Sequence, residues 1–366
     1  MTSTALLQTR LNARHRALGA RMVDFAGWDM PVQYQGVLDE CRAVRQGCGL
    51  FDVSHMTITD FEGSGVADAL QHLLCNSLQN LRPGQAVYSP LLNEQGGMID
   101  DVIVYAPLTD SMHWRMISNA STRAVVRDWL ARQLPESVRI LPIEQELIAI
   151  QGPQVFEVLS RCWPAERVAD IQALPPFQQY RTDDGLMIAT TGYTGELGVE
   201  VACPSEQAEA LWDALVQAGA EPCGLAARDT LRLEAGMNLY GNDMDASISP
   251  LECGLSWTVK NSGEYVGKTA LEQLRDQPHA WMKAVVLEGK GVLRHGMAIR
   301  NPAEPDGPHG ELTSGTFSPV LGKAIGFARV PHAFRELTQL EVQMRGQWFP
   351  LTVVKAPFVR HGKALV

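Results

Sequence analysis

No pair of cysteines in this chain is spaced as CxxC, and no histidine stands at zinc-finger distance from a cysteine. The seven cysteines, at 41, 48, 75, 162, 203, 223 and 253, are odd in number, which argues against a disulfide framework and against structural zinc. They read as buried, reduced thiols, and a reducing cytoplasm follows. No apolar run reaches the roughly 20 residues of a membrane-spanning helix. Positive charge is also in short supply: 31 Lys and Arg face 41 Asp and Glu, a formal net charge of -10. A general affinity for nucleic acid or an anionic membrane is thereby disfavoured. An anionic ligand would need a local cluster of Arg or Lys.

The common nucleotide and catalytic signatures are missing as well. Gly267, Lys268 and Thr269 look like the tail of a phosphate loop, but Ser262 stands where its first glycine belongs and no strand precedes it. GYTGELG carries glycines at 192, 195 and 198, which is not the dinucleotide fingerprint. Neither a GxSxG elbow nor an HExxH helix occurs.

What remains is ordinary globular material: 366 residues, 45% apolar and 20% charged, enough for two or three domains. The N-terminus holds Arg10, Arg14, Arg16 and Arg21 with no acidic residue before Asp24, a composition like that of a transit peptide. Leu6, Leu7, Leu11 and Leu18 fit one helical face, however, and a first surface helix is expected. Strand and helix signals then alternate. Ala86–Leu92 and Met98–Tyr105 read as a hairpin turning on NEQGG, with His113–Ser118 a further strand and a helix opening at Ser121. A similar succession returns from Leu147 to Ala218. These patterns predict an α+β fold of two split βαβ-like units, 1–145 and 146–275. From about Trp281 short strands separated by Gly, Pro and Asn predict a β-rich C-terminal domain, 281–366.

Three stretches could carry chemistry. Asp100 and Asp101 open the apolar run Val102-Ile103-Val104, and adjacent strand residues point to opposite faces. A paired-carboxylate or dimetal site is therefore disfavoured. One carboxylate should serve the turn, and the other could hydrogen-bond a ligand nitrogen. TTGYTGELGVEV places Tyr193, Glu196 and Glu200 about a tight turn, material for a flat heterocycle or simply a plain β-turn. CGLAARDTLRLEAGMNLYG is an amphipathic helix whose Arg228 and Arg232, four apart, could clamp a carboxylate or could be ordinary surface partners.

With these stretches assembled, the chain resembles the glycine cleavage T-protein family nearly end to end. The match runs through ARMVDFAGWDMPVQY, GLFDVSHM, GGMIDDVIVY, GYTGELGVEV, CGLAARDTLRLEAGMNLYG, ISP, KGVLRHG, LTSGTFSP and PFVRHGKA. The resemblance implies three domains around a central folate cavity, two of them α+β and the third a small β-barrel or jelly-roll-like unit. It implies an aminomethyltransferase that takes the aminomethyl carbon from the dihydrolipoyl arm of a lipoylated H-protein. Ammonia is released, and the carbon passes to tetrahydrofolate as 5,10-methylenetetrahydrofolate, with neither a metal nor pyridoxal phosphate. Carried over by position, the key aspartate is Asp101. Folate contacts fall on Glu200 and Arg228, with Tyr88, Asn119, Tyr193 and Arg360 as further members. The same scaffold also serves folate-dependent demethylases of small methylated amines or sulfonium compounds. Non-enzymatic folate-binding assembly factors form a third class, but their KGCYxGQE-like motif is absent here.

Overall fold

A computed structural model of the protein describes residues 5–109 and 113–366. The chain divides into two compact, discontinuous units: Met1–Val66, Gln79–Val87 and Ile103–Leu231 form the first, and Ala67–Leu78, Tyr88–Val102 and Arg232–Val366 the second.

The first unit is built on a six-stranded sheet ordered Gln179–Arg181, Met187–Ala189, Gly198–Pro204, Gln145–Gln151, Gly49–Asp52 and Glu221–Pro222. Its pairs are antiparallel except the last, which is parallel. Strand alternation explains its two covered faces. Ile148 and Ile150 point one way, into a core with Val158, Leu159, Trp212 and Leu215 from the helices Val155–Cys162 and Ser205–Gln217. Leu147 and Ala149 point the other way, against Cys41 and Val44 of the helix Val37–Gln46 and Ala227 and Leu231 of the helix Leu225–Glu234.

A five-stranded sheet has the order Ala86–Leu92, Met98–Tyr105, Trp114–Ser118, Thr57–Gly63 and Val138–Ile143. Across it Asp60 faces Arg115 in register, and the buried guanidinium meets both carboxylate oxygens at 2.7 and 2.8 Å. The C-terminal region closes into a six-stranded barrel ordered Trp281–Leu287, Lys323–Val330, Gly310–Ser318, Ala298–Arg300, Gln339–Met344 and Gln347–Val354. Gly315 and Gly326 are cross-strand partners there. A Cβ on Gly315 would fall 2.6 Å from the Leu293 carbonyl carbon, so the LTSGTFSP glycine permits a close chain approach.

The expected N-terminal helix is shorter than its leucine pattern. Only Asn12–Ala17 is helical, because Leu7 exchanges backbone hydrogen bonds with Gly27 and Asp29 and forms a bridge with Trp28. Its arginines are surface ion-pair partners: Arg10 and Arg14 meet Glu209, and Arg14 also meets Asp213.

Candidate functional site

In the second unit the Met98–Tyr105 strand delivers Asp100 and Asp101 to opposite environments. Asp100 is fully buried, and its carboxylate accepts the backbone N–H of Asp101 at 2.9 Å. Asp101 is half-buried and accepts the Tyr88 hydroxyl at 3.1 Å. Burial, followed by the charges of Asp100, Asp245 and Asp101, pushes the nearby Tyr240 phenol far up. It therefore stays protonated and donates to the Met98 carbonyl at 3.1 Å.

The turn before this strand is tied down. Asn93 accepts the N–H groups of Gln95 and Gly97 and donates to the Ala246 carbonyl, while the Met98 N–H reaches the Asp245 and Ile248 carbonyls. Above Tyr88, Trp257 stacks with centroids 6.1 Å apart and planes 18° from parallel, and it is 56% exposed. A half-buried carboxylate bonded to a phenol, with an exposed indole stacked on that phenol, can hold a polar aromatic ligand and meet a developing positive charge.

In the first unit Glu200 leaves the strand Gly198–Pro204 buried, accepting the Thr191 hydroxyl at 2.6 Å. Arg228 approaches Glu200 at 3.8 Å and lies over the Tyr193 ring at 4.9 Å. Burial lowers the pKa of this guanidinium against the opposing pull of Glu200 and Tyr193. Its Nη1 is buried with no hydrogen-bond partner among the described residues. Such an atom is costly to leave unmade, so the arrangement fits a ligand acceptor at that point. Asn119 follows the strand Trp114–Ser118, and its carbonyl accepts the Thr122 hydroxyl at 3.0 Å. Arg360 is exposed in the two-stranded hairpin of Val359–Arg360 with Lys363–Ala364.

Two residues of the suggestive stretches serve the structure instead. Glu196 takes a buried ion pair with Arg45 at 2.6 Å, while Arg45 also donates to the Thr194 carbonyl. Arg232 is 1% exposed and meets Asp243 at 2.8 Å and the Ser314 hydroxyl at 2.8 Å, which rules it out as half of a carboxylate clamp. Sequence reasoning does not single out Trp257, which sits in the short 3-10 turn Ser256–Thr258 between Leu255 and Val259 and has no distinguishing local pattern. It also missed His55, which lies within the FDVSHM stretch. No cluster of three or more His, Cys, Asp or Glu able to hold a metal occurs among the described residues.

Residues 11–262 match the GCVT N-terminal domain family, and residues 282–360 match the glycine cleavage T-protein C-terminal barrel domain family. The aminomethyltransferase of Burkholderia ambifaria is 49% identical over 379 residues, covering 99% of both chains. That of Alcanivorax borkumensis is 44% identical over 362 residues, covering 98% of both. The crystal structure of the glycine cleavage system aminomethyltransferase T from Bartonella henselae superposes with a TM-score of 0.89 at 33% identity, covering 97% of this chain and 99% of that one.

Proposed function

This chain belongs to the glycine cleavage T-protein family, and from that membership we propose the reaction it catalyses. It is a tetrahydrofolate-dependent aminomethyltransferase. Its donor is the S-aminomethyldihydrolipoyl arm of a lipoylated H-protein, and its products are ammonia and 5,10-methylenetetrahydrofolate. Two new carbon–nitrogen bonds, to N5 and N10 of the folate, replace the carbon–sulfur and carbon–nitrogen bonds of the donor. The two folate N–H protons leave on the thiol and the ammonia, so no oxidant is required.

Asp101 is the catalytic group of this proposal. A half-buried carboxylate steadied by the Tyr88 hydroxyl at 3.1 Å is suited to orient a folate nitrogen and to stabilise an iminium-like carbon. That arrangement carries the reading. Glu200, Arg228, Tyr193, Asn119, Tyr88 and Arg360 are proposed as folate contacts. For Arg228 the support is its buried Nη1, which has no partner among the described residues and calls for an acceptor. The reaction needs positioning rather than redox or Lewis-acid chemistry, so neither a metal nor pyridoxal phosphate takes part. The free thiols suit a reducing cytoplasm, and no described helix is long and apolar enough to cross a membrane.

The test sets small methylated amines against the arm-borne donor. Tetrahydrofolate should bind by calorimetry, and sarcosine or dimethylglycine should yield no methylenetetrahydrofolate. Turnover of either amine at rates matching the loaded H-protein would make the protein a demethylase.

A further inference from the structure

His55 lies between the strands Gly49–Asp52 and Thr57–Gly63 and is 4% exposed. Two elements of the first unit enclose it. Phe25 of the hairpin Arg21–Gln33 meets the imidazole edge-on at 5.3 Å. Arg123 donates to the His55 carbonyl at 3.1 Å and to the Thr57 hydroxyl at 3.0 Å, and its guanidinium covers the Trp28 ring at 5.0 Å. The His55 backbone is thus tied down and its ring packs against Phe25, yet the ring Nδ1 is buried with no hydrogen-bond partner among the described residues.

The second orphan of this neighbourhood is Nη1 of Arg228, and Arg228 is among the charges that act on His55. The charged groups facing the imidazole are Asp52, Arg228 and Arg123, and Asp52 is already bonded to His15, Thr9 and the Ser54 N–H. Burial first, with Arg228 and Arg123 helping and Asp52 opposing, pushes the imidazole down to about 4. The ring is neutral at neutral pH, with a hydrogen-bonding nitrogen that the protein itself does not satisfy. Native interiors rarely leave such a group unmet unless a ligand or water completes it.

We infer that His55, through Nδ1, hydrogen-bonds the same ligand that Arg228 binds and fixes its orientation beside Glu200. This rests on the folate reading above and adds to it a specificity-determining residue. The ligand's polar edge is either the pterin ring or the glutamyl tail, and both carry amide-like donors and acceptors.

Three variants separate the atoms involved. His55→Asn places an amide near the position of Nδ1, His55→Gln near that of Nε2, and His55→Leu removes hydrogen bonding while keeping apolar volume. Calorimetry with tetrahydrofolate should show Kd within about threefold of the parent for Asn, and weakened about tenfold or more for Gln and Leu. Melting temperatures should not follow that order. Should Leu fail to fold, the difference between Asn and Gln carries the test. Equal weakening of tail-free tetrahydropterin and tetrahydrofolate binding by the substitutions would assign His55 to the ring, and weakening of tetrahydrofolate binding alone would assign it to the tail. Unchanged Kd in folded Gln and Leu variants, or losses that track melting temperature alone, would overturn the inference. Failure of the unmodified protein to bind tetrahydrofolate would instead overturn the folate reading.

Discussion

At the scale of single residues, adjacent Asp100 and Asp101 have opposite surroundings because a strand alternates its faces. Asp100, fully buried and bonded to the Asp101 N–H, serves the backbone. Asp101, still partly exposed, is the carboxylate proposed to serve the ligand. Asp101→Asn should lower kcat by about two orders of magnitude or more and leave the melting temperature nearly unchanged. Asp100→Asn should chiefly lower stability. Steady-state kinetics beside thermal unfolding check both, and the reverse pattern would exchange the roles. His55 also makes a pH prediction. Its folded pKa of about 4 lies below the ordinary 6.5, so below pH 6.5 the unfolded chain binds the extra proton more readily. Stability should therefore fall as pH drops from about 6.5 to 4, with no further contribution from this group below that. In His55→Asn the denaturant midpoint should fall less steeply across the same window. Asp52, whose burial is outweighed by hydrogen bonds and charge from His15, loses its contribution only at lower pH, as its depressed pKa is reached.

At the scale of elements, the hairpin that presents Asp101 depends on its turn. A Cβ on Gly97 would lie 1.9 Å from the Ala246 carbonyl oxygen, so Gly97→Ala must displace backbone rather than a flexible side chain. It should cost a few kcal/mol, on the scale of severe overpacking, and should reduce kcat as well by shifting Asp101. Urea unfolding and turnover measured together check this; a variant with native stability and rate would mean the turn is adaptable. This hairpin was legible in the sequence because two apolar runs flank a turn containing paired glycines, and its observed bounds are Ala86–Leu92 and Met98–Tyr105. The N-terminal helix is shorter than the leucine spacing predicts because that spacing does not disclose that residue 7 pairs with residues 27 to 29. The barrel strand Gly310–Ser318 is hard to read from the sequence because its Gly, Ser and Thr residues look like a loop, and its register shifts between Leu312 and Ser314. Glu196, Arg232 and His55 could not be assigned locally. Their fates were set by Arg45, Asp243 and Phe25, residues distant in sequence or on another element.

At the scale of the whole molecule, a chain of net charge -10 must dock its partner against a repulsive field if that partner is acidic too. Arg294, exposed in the KGVLRHG loop, is a candidate for the local basic patch such docking needs. Turnover with loaded H-protein should fall as ionic strength rises, and Arg294→Glu should raise KM for H-protein far more than KM for folate. Equal effects on both would remove Arg294 from the docking surface. Exhaustive treatment with a chelator should leave activity intact, and a loss restored by a stoichiometric metal would overturn the metal-free reaction. The central claim is the transfer itself. It is tested most directly by a single-turnover reaction of aminomethyl-loaded H-protein with tetrahydrofolate, following ammonia and methylenetetrahydrofolate together. Both should appear at the same rate and in equal amounts when the protein is present, and Asp101→Asn should slow both alike. Ammonia without methylenetetrahydrofolate, or neither product above the uncatalysed rate, would contradict it.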